Sequence, residues 1–157
     1  MISFFSELQE DEVAVMFRAP VLVSILVAGA DDKFDKKELS EAIDLTKLKL
    51  SKSREYLRDF YRILSINFET KLSDEIDSLP SKASKRNPVI VAELEKINKI
   101  LPKLDKTFAI QYYESIKDIA KRIATASGGV LGYMTIDQHE RKVVDLKMIK
   151  NPNGSKF

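Results

Sequence analysis

Four carboxylates fall within eight residues in the first third of the chain, and they are the side chains best suited to chemistry. They are Asp31, Asp32, Asp35 and Glu38. Hard divalent cations such as Ca²⁺ and Mg²⁺ take oxygen ligands, so this acidic segment is a candidate cation site. It is not an EF-hand, because an alignment ending on Glu38 places Val27 and Gly29 where ligating side chains are required. The segment therefore predicts part of a Ca²⁺ or Mg²⁺ site.

A similar pattern recurs near the end of the chain. In both places an apolar helix end leads into a loop, a hydrophobic residue and then Asp-x-x-Glu, and the second copy supplies Asp137 and Glu140. Two helix–loop–helix units related by approximate two-fold pseudo-symmetry would bury their apolar stripes against each other. If the two units converge, Asp137 and Glu140 join the predicted metal ligands.

Helix capping is the alternative role for the same carboxylates. Asp35-x-x-Glu38 has the spacing of a capping box, and Asp31 and Asp32 favour the positive end of the helix dipole by about 0.3–1 kcal/mol each. The protein is then a helical interaction scaffold without a metal site. A second alternative is a metal-dependent hydrolase, in which Asp31, Asp35 and Glu38 hold a metal ion that activates water. No nucleophile or oxyanion donor set accompanies them, so we expect no enzyme activity.

Composition limits the remaining chemistry. The 157 residues include no cysteine and one histidine, which excludes disulfides, thiol nucleophiles and multi-histidine metal sites. Lysine and arginine number 26 against 24 acidic residues, a balance that argues against nucleic acid as a partner. We expect one domain over residues 1–150 and a disordered polar tail over 151–157.

The longest uncharged stretch predicts a core helix. It covers residues 19–30, shorter than the roughly 20 residues needed to cross a bilayer. The first residues lack the basic region of a secretory signal, so we expect a cytoplasmic protein with no integral membrane segment. Its partner is expected to be an unidentified protein, and the oligomeric state is open.

The elements that must position these side chains are helical. Apolar residues recur at three- and four-residue spacing, and the few glycines and prolines fall between such stretches, which predicts an all-α bundle of about seven helices. The first helical stretch is expected to kink or break at Pro20, giving helices at about 7–18 and 20–29. Asp105 is expected to cap the sixth helix, which ends near Ala126. Residues 81–87 read as a solvated basic connection, and a last helix should run from about 135 through Met148. Two buried stripes are predicted, formed by Leu57, Phe60, Tyr61 and Leu64, and by Tyr112, Ile116, Ile119, Ala120 and Ile123.

Two stretches resemble the TerB-like family of tellurite-resistance-associated proteins. Residues 27–38, Val-Ala-Gly-Ala-Asp-Asp-Lys-Phe-Asp-Lys-Lys-Glu, are similar to the family's small-apolar helix end, Ala-Asp-Gly turn and Asp-x-x-Glu. Residues 126–132, Ala-Ser-Gly-Gly-Val-Leu-Gly, are similar to a glycine-rich loop of the same group. The resemblance implies an all-helical, cytoplasmic bacterial protein of stress or metal responses, non-catalytic, with an acidic metal site. The matching positions are Asp31, Asp35 and Glu38, whereas Asp32 stands where the family usually has glycine.

Overall fold

The computed structural model describes residues 3–30, 34, 36–52, 55–126 and 144–154, and for residues 50–52 the backbone alone. Over these ranges the chain is an all-helical bundle without strands, which confirms the predicted class. The helices are α1 (Glu10–Ala28), α2 (Lys36–Lys52), α3 (Glu55–Ser65), α4 (Phe68–Ser78), α5 (Ala83–Glu95), the single-turn α6 (Ile97–Ile100) and α7 (Lys106–Ala126). Short 3-10 turns cover Ser3–Phe5 and Leu101–Lys103. The predicted pseudo-symmetry depends on a second unit outside the described residues.

Helix α1 is the centre of the bundle. It packs against α2, α4, α5 and α7, while α2 also packs against α3 and α7. Residues 19–30 are all buried, because this half of α1 is apolar on every face and needs neighbours all round. The predicted core helix is therefore confirmed. None of the described helices combines the length and the apolar character needed to cross a membrane.

The predicted break at Pro20 is wrong, because α1 continues through this residue. Proline has no N–H, so the carbonyl of Met16, four residues earlier, loses its helical donor. The hydroxyl of Tyr112 on α7 donates to that carbonyl at 2.8 Å. A tertiary hydrogen bond thus replaces the missing helical one, and α1 crosses the core unbroken.

Both predicted apolar stripes are buried and face one another across the core. The stripe of α3 and the stripe of α7 are each less than a twentieth exposed. Phe60 stacks with Phe17 of α1 and meets Tyr112 edge-on. Tyr61 hydrogen-bonds Ser115 with its hydroxyl, and burial raises the pKa of this phenol. The tyrosines therefore fill apolar space while their polar tips find partners inside the bundle.

The connection between α4 and α5 differs from the prediction. Residues 83–87 belong to α5, and the carbonyl of Lys82 accepts hydrogen bonds from the backbone N–H groups of Lys85 and Arg86. The Arg86 side chain turns back to the residues before the helix, with Nη1 donating to the carbonyl of Ser81 at 2.8 Å. The basic residue expected in solvent instead organises the start of α5.

The predicted last helix does not reach Met148, because the residues after the helical Val144 form a turn, while residues 135–143 of that prediction lie outside the described part of the chain. Beyond Val144 the backbone turns, and Leu146 is fully buried with a positive φ of 47°. Helix α7 behaves as predicted, since the carboxylate of Asp105 accepts a hydrogen bond from the N–H of Phe108 at 3.0 Å and the helix ends at Ala126. Of the predicted tail, residues 151–154 are described, and Asn151 accepts a hydrogen bond from the N–H of Asn153.

Candidate functional site

Glu38 is the one predicted site residue within the described part of the chain. It lies in the first turn of α2 and is 1% exposed. The other five candidates, Asp31, Asp32, Asp35, Asp137 and Glu140, lie outside the described residues. Whether the two acidic segments meet therefore stays a prediction.

Arg86 is a buried cation that the sequence interpretation missed. Its Nη2 donates to the carbonyl of Gly29 at 2.5 Å, and its Cζ lies 4.6 Å from the centre of the Phe34 ring. The side chain is in α5, yet it contacts residues on both sides of positions 31–33. We call Gly29, Phe34 and Arg86 the α1–α2 corner. A guanidinium at this place satisfies a carbonyl at the negative end of the α1 dipole and stacks on an aromatic face.

Gly29 allows the corner to close. A Cβ at this position would lie closer than 3.0 Å to the Phe34 ring, the Arg86 guanidinium and the carbonyl oxygen of Ile25. The φ of Gly29 is −108°, so its backbone is accessible to other residues and the constraint is space alone. The absence of a side chain lets Arg86 approach the end of α1.

Charge is balanced around the corner. The segment 31–38 holds four carboxylates and three lysines, which leaves a formal charge of −1. Among the described residues, Glu38 and Arg86 are the buried charged side chains, and their signs are opposite. A buried charge destabilises a fold by several kcal/mol unless an opposite charge or hydrogen bonds compensate it. The single positive charge of Arg86 is equal and opposite to the formal charge of the segment.

A second charged cluster lies earlier along α1, around Arg18. The guanidinium is 36% exposed and pairs with Glu75 of α4 at 2.5 Å and Glu93 of α5 at 2.8 Å. Hydrogen bonding to Glu75 raises the pKa of Arg18. Burial by itself would raise the pKa of Glu93, but the contacts with Lys96 and Arg18 bring it below its usual value. Arg18 thus links α1 to α4 and α5 through ion pairs, and two carboxylates compensate its charge.

Two grooves meet at Arg18. One lies between α1 and α5, the other between α1 and α4, and each has a volume of about 560 Å³. Ala14 and Arg18 line both grooves, and Phe17 and Val21 continue the floor of the second. Ala14, Phe17, Arg18 and Val21 recur at three- and four-residue spacing and so lie on one face of α1, which we call the α1 stripe. Neither α4 nor α5 covers this face completely. In this α1 stripe Ala14 is exposed, Phe17 and Arg18 are half-buried and Val21 is buried, and both grooves are lined by acidic and basic side chains.

The described residues contain no group of three or more metal-binding side chains. This finding concerns one of the six predicted ligands, so the Ca²⁺ or Mg²⁺ site stays a prediction. The sequence offered no signal for the position of Arg86, because a basic residue in a polar stretch is most often solvated. A comparison of the chain with protein-family models, curated proteins and solved structures finds no match.

Proposed function

We propose that this chain is a non-catalytic helical scaffold that works by binding a protein partner. In this proposal the acidic segment between α1 and α2 is a charge-balanced structural corner. The observation that carries it is the placement of Arg86, which hydrogen-bonds Gly29 and stacks on Phe34. Arg86 provides a positive charge next to the segment, so the proposal requires no added ion. The α1 stripe, where the two grooves meet, is the surface that a partner would contact.

The resemblance to TerB-like proteins supports a role in a bacterial stress response. The all-helical bundle is the fold class that the resemblance implied. The absence of cysteine and the single histidine of the sequence are in keeping with a protein that binds and does not catalyse. The tellurite-related role and a cytoplasmic location are parts of the same proposal.

Binding of Ca²⁺ or Mg²⁺ by the acidic segment is the second candidate function. The observation in its favour is Glu38, the last carboxylate of the segment, which is 1% exposed. A site of this kind would draw on Asp31, Asp35 and Glu38, and the ion would have to bind beside the guanidinium of Arg86. Like charges at close range repel, so this neighbour lowers the affinity of the segment for a dication.

Titration with divalent ions distinguishes the two candidates. The scaffold proposal predicts that millimolar Ca²⁺ or Mg²⁺ leaves the melting temperature of the protein within about 1 °C of the ion-free value, because no ion binds preferentially to the folded state. Differential scanning calorimetry against increasing CaCl₂ or MgCl₂, at constant ionic strength, measures this directly.

The Asp31→Asn variant is the matched control for that titration. Saturable stabilisation of the unmodified protein that disappears in Asp31→Asn would establish the cation site and overturn the scaffold proposal. A small rise shared equally by both proteins reflects general screening of charge and agrees with the scaffold.

A further inference from the structure

A cavity of about 360 Å³ lies between the start of α7 and the last described segment. Its apolar walls include Leu101, Leu104, Ala109 and Pro152, and two lysines, Lys106 and Lys150, stand among its lining residues. Small-molecule sites have volumes of roughly 300–1,000 Å³ and are mainly apolar, with a few polar groups that orient the ligand. The cavity has this size and this character.

Side-chain hydrogen bonds fix the wall that residues 148–152 contribute. Asn98 donates from Nδ2 to the carbonyl of Met148 at 2.8 Å and accepts from the N–H of Lys150 at 2.7 Å. The positive φ of Leu146 turns the chain just before this wall, and the Leu146 side chain is buried in the core. Because one amide holds two successive parts of the segment, Lys150 keeps its place at the cavity.

The charge of this cavity is unmatched within the described part of the chain. Neither Lys106 nor Lys150 forms an ion pair with a described residue, and no described carboxylate lines the cavity. The carboxylate nearest in sequence, Asp105, accepts the hydrogen bond from the N–H of Phe108. The grooves at Arg18 are different, because their lining includes several carboxylates and Arg18 itself is paired twice.

We propose that this cavity binds a small apolar molecule that carries one carboxylate. The apolar walls accept the body of the ligand, and burial of its surface drives binding. Lys106 and Lys150 are charged donors at the edge of the same cavity, and charge-assisted hydrogen bonds to a carboxylate are stronger than neutral ones. The two lysines thereby select an anion over a neutral molecule of the same shape. The site is distant in sequence from the acidic segment and does not depend on the proposed scaffold function.

A matched pair of probes tests the proposal, 4-phenylbutyrate and its neutral amide, 4-phenylbutyramide. Each is titrated into the ¹⁵N-labelled protein, and the backbone amide resonances of the non-proline residues in 98–109 and 150–151 are followed. We expect saturable shifts in these resonances, with the carboxylate binding about 3–10-fold more tightly than the amide, as two exposed charge contacts allow. Shifts confined to other residues, or no saturation at about 10 mM probe, would overturn the proposal.

Variants of the two lysines separate charge recognition from general hydrophobic binding. Lys106→Gln combined with Lys150→Gln should weaken 4-phenylbutyrate about 3–10-fold and leave 4-phenylbutyramide unchanged. Both side chains are exposed, so the fold tolerates the changes, which the unperturbed spectrum of the free variant verifies. Lys121→Gln, an exposed change further along α7, is the control and should alter neither probe. Equal affinity of the double variant for the carboxylate contradicts the assignment of the lysines.

Discussion

Replacing Arg86 with methionine lowers the free energy of unfolding by about 3–5 kcal/mol, the largest effect we expect from a single substitution at the corner. Methionine keeps most of the buried stem but removes the donors to the carbonyls of Gly29 and Ser81. It also removes the stacking on Phe34 and leaves the acidic segment with excess negative charge. Chemical denaturation followed by circular dichroism measures the loss, which corresponds to a fall in melting temperature of about 10 °C for a chain of this size.

Lys85→Met is the control for the Arg86 variant. Lys85 precedes Arg86 on the same turn of α5 but is exposed, so its replacement should change stability by no more than about 0.5 kcal/mol. If Arg86→Met were as mild as Lys85→Met, the guanidinium would have no structural role and the corner would need another explanation.

Replacing Tyr112 with phenylalanine lowers the free energy of unfolding by about 1–3 kcal/mol. The ring still fills its place in the core, but the carbonyl of Met16 loses the hydroxyl donor that compensates for Pro20. A buried acceptor without a partner destabilises a protein by about this amount. Urea denaturation of the two proteins measures this difference. The surface exposed on unfolding should be the same in both, so the dependence of the free energy of unfolding on urea concentration should have the same slope.

Pro20→Ala tests whether the Tyr112 hydroxyl replaces the hydrogen bond that proline removes from the helix. Alanine restores a backbone N–H that can donate to the carbonyl of Met16, so Tyr112→Phe should be less destabilising in the Pro20→Ala background. A coupling of at least about 0.5 kcal/mol between the two changes is expected. Additive effects would show that the hydroxyl does not replace the missing helical hydrogen bond.

Periodicity predicts the parts of this fold that depend on local sequence. The stripes that contain Phe60 and Tyr112 are buried as expected, because spacing along a helix sets which side chains share a face. The cap at Asp105 and the end at Ala126 also follow from residues close in sequence. Fold class could therefore be predicted without knowledge of any tertiary contact.

The predictions that were wrong depend on contacts between distant residues. Pro20 does not end α1, because Tyr112 donates to the carbonyl of Met16, 96 residues away, which proline leaves without a helical donor. Arg86 is buried because the end of α1, 57 residues away, presents the Gly29 carbonyl to it. The spacing of apolar residues does not predict either contact. A basic side chain in a polar stretch is expected to be solvated, and only the tertiary structure shows that Arg86 is buried.

The candidate site could be predicted only where it depends on residues that are close in sequence. The sequence identified the acidic segment and Glu38 at the start of α2, since carboxylate clustering is visible without a fold. It did not identify the cation that lies beside the segment, which comes from a different helix. The metal site stays a prediction, and the scaffold proposal instead treats the segment as part of a corner that has its own positive charge.

The central claim is that Arg86 balances the charge of the acidic segment. The segment is covalently continuous with Gly29 and includes Phe34, the two residues at the α1–α2 corner that the Arg86 side chain contacts. Removal of the guanidinium should therefore matter less once carboxylates of the segment are neutral. A double-mutant cycle combines Arg86→Met with the paired change Asp31→Asn and Asp35→Asn.

The decisive measurement is the coupling free energy of that cycle, obtained by chemical denaturation of the four proteins at low ionic strength. We predict that Arg86→Met destabilises the Asp31→Asn, Asp35→Asn protein by at least about 1 kcal/mol less than it destabilises the unmodified protein. Additivity within about 0.5 kcal/mol would contradict the account, because Arg86 would then act on the backbone carbonyls alone and the acidic segment would need another positive charge.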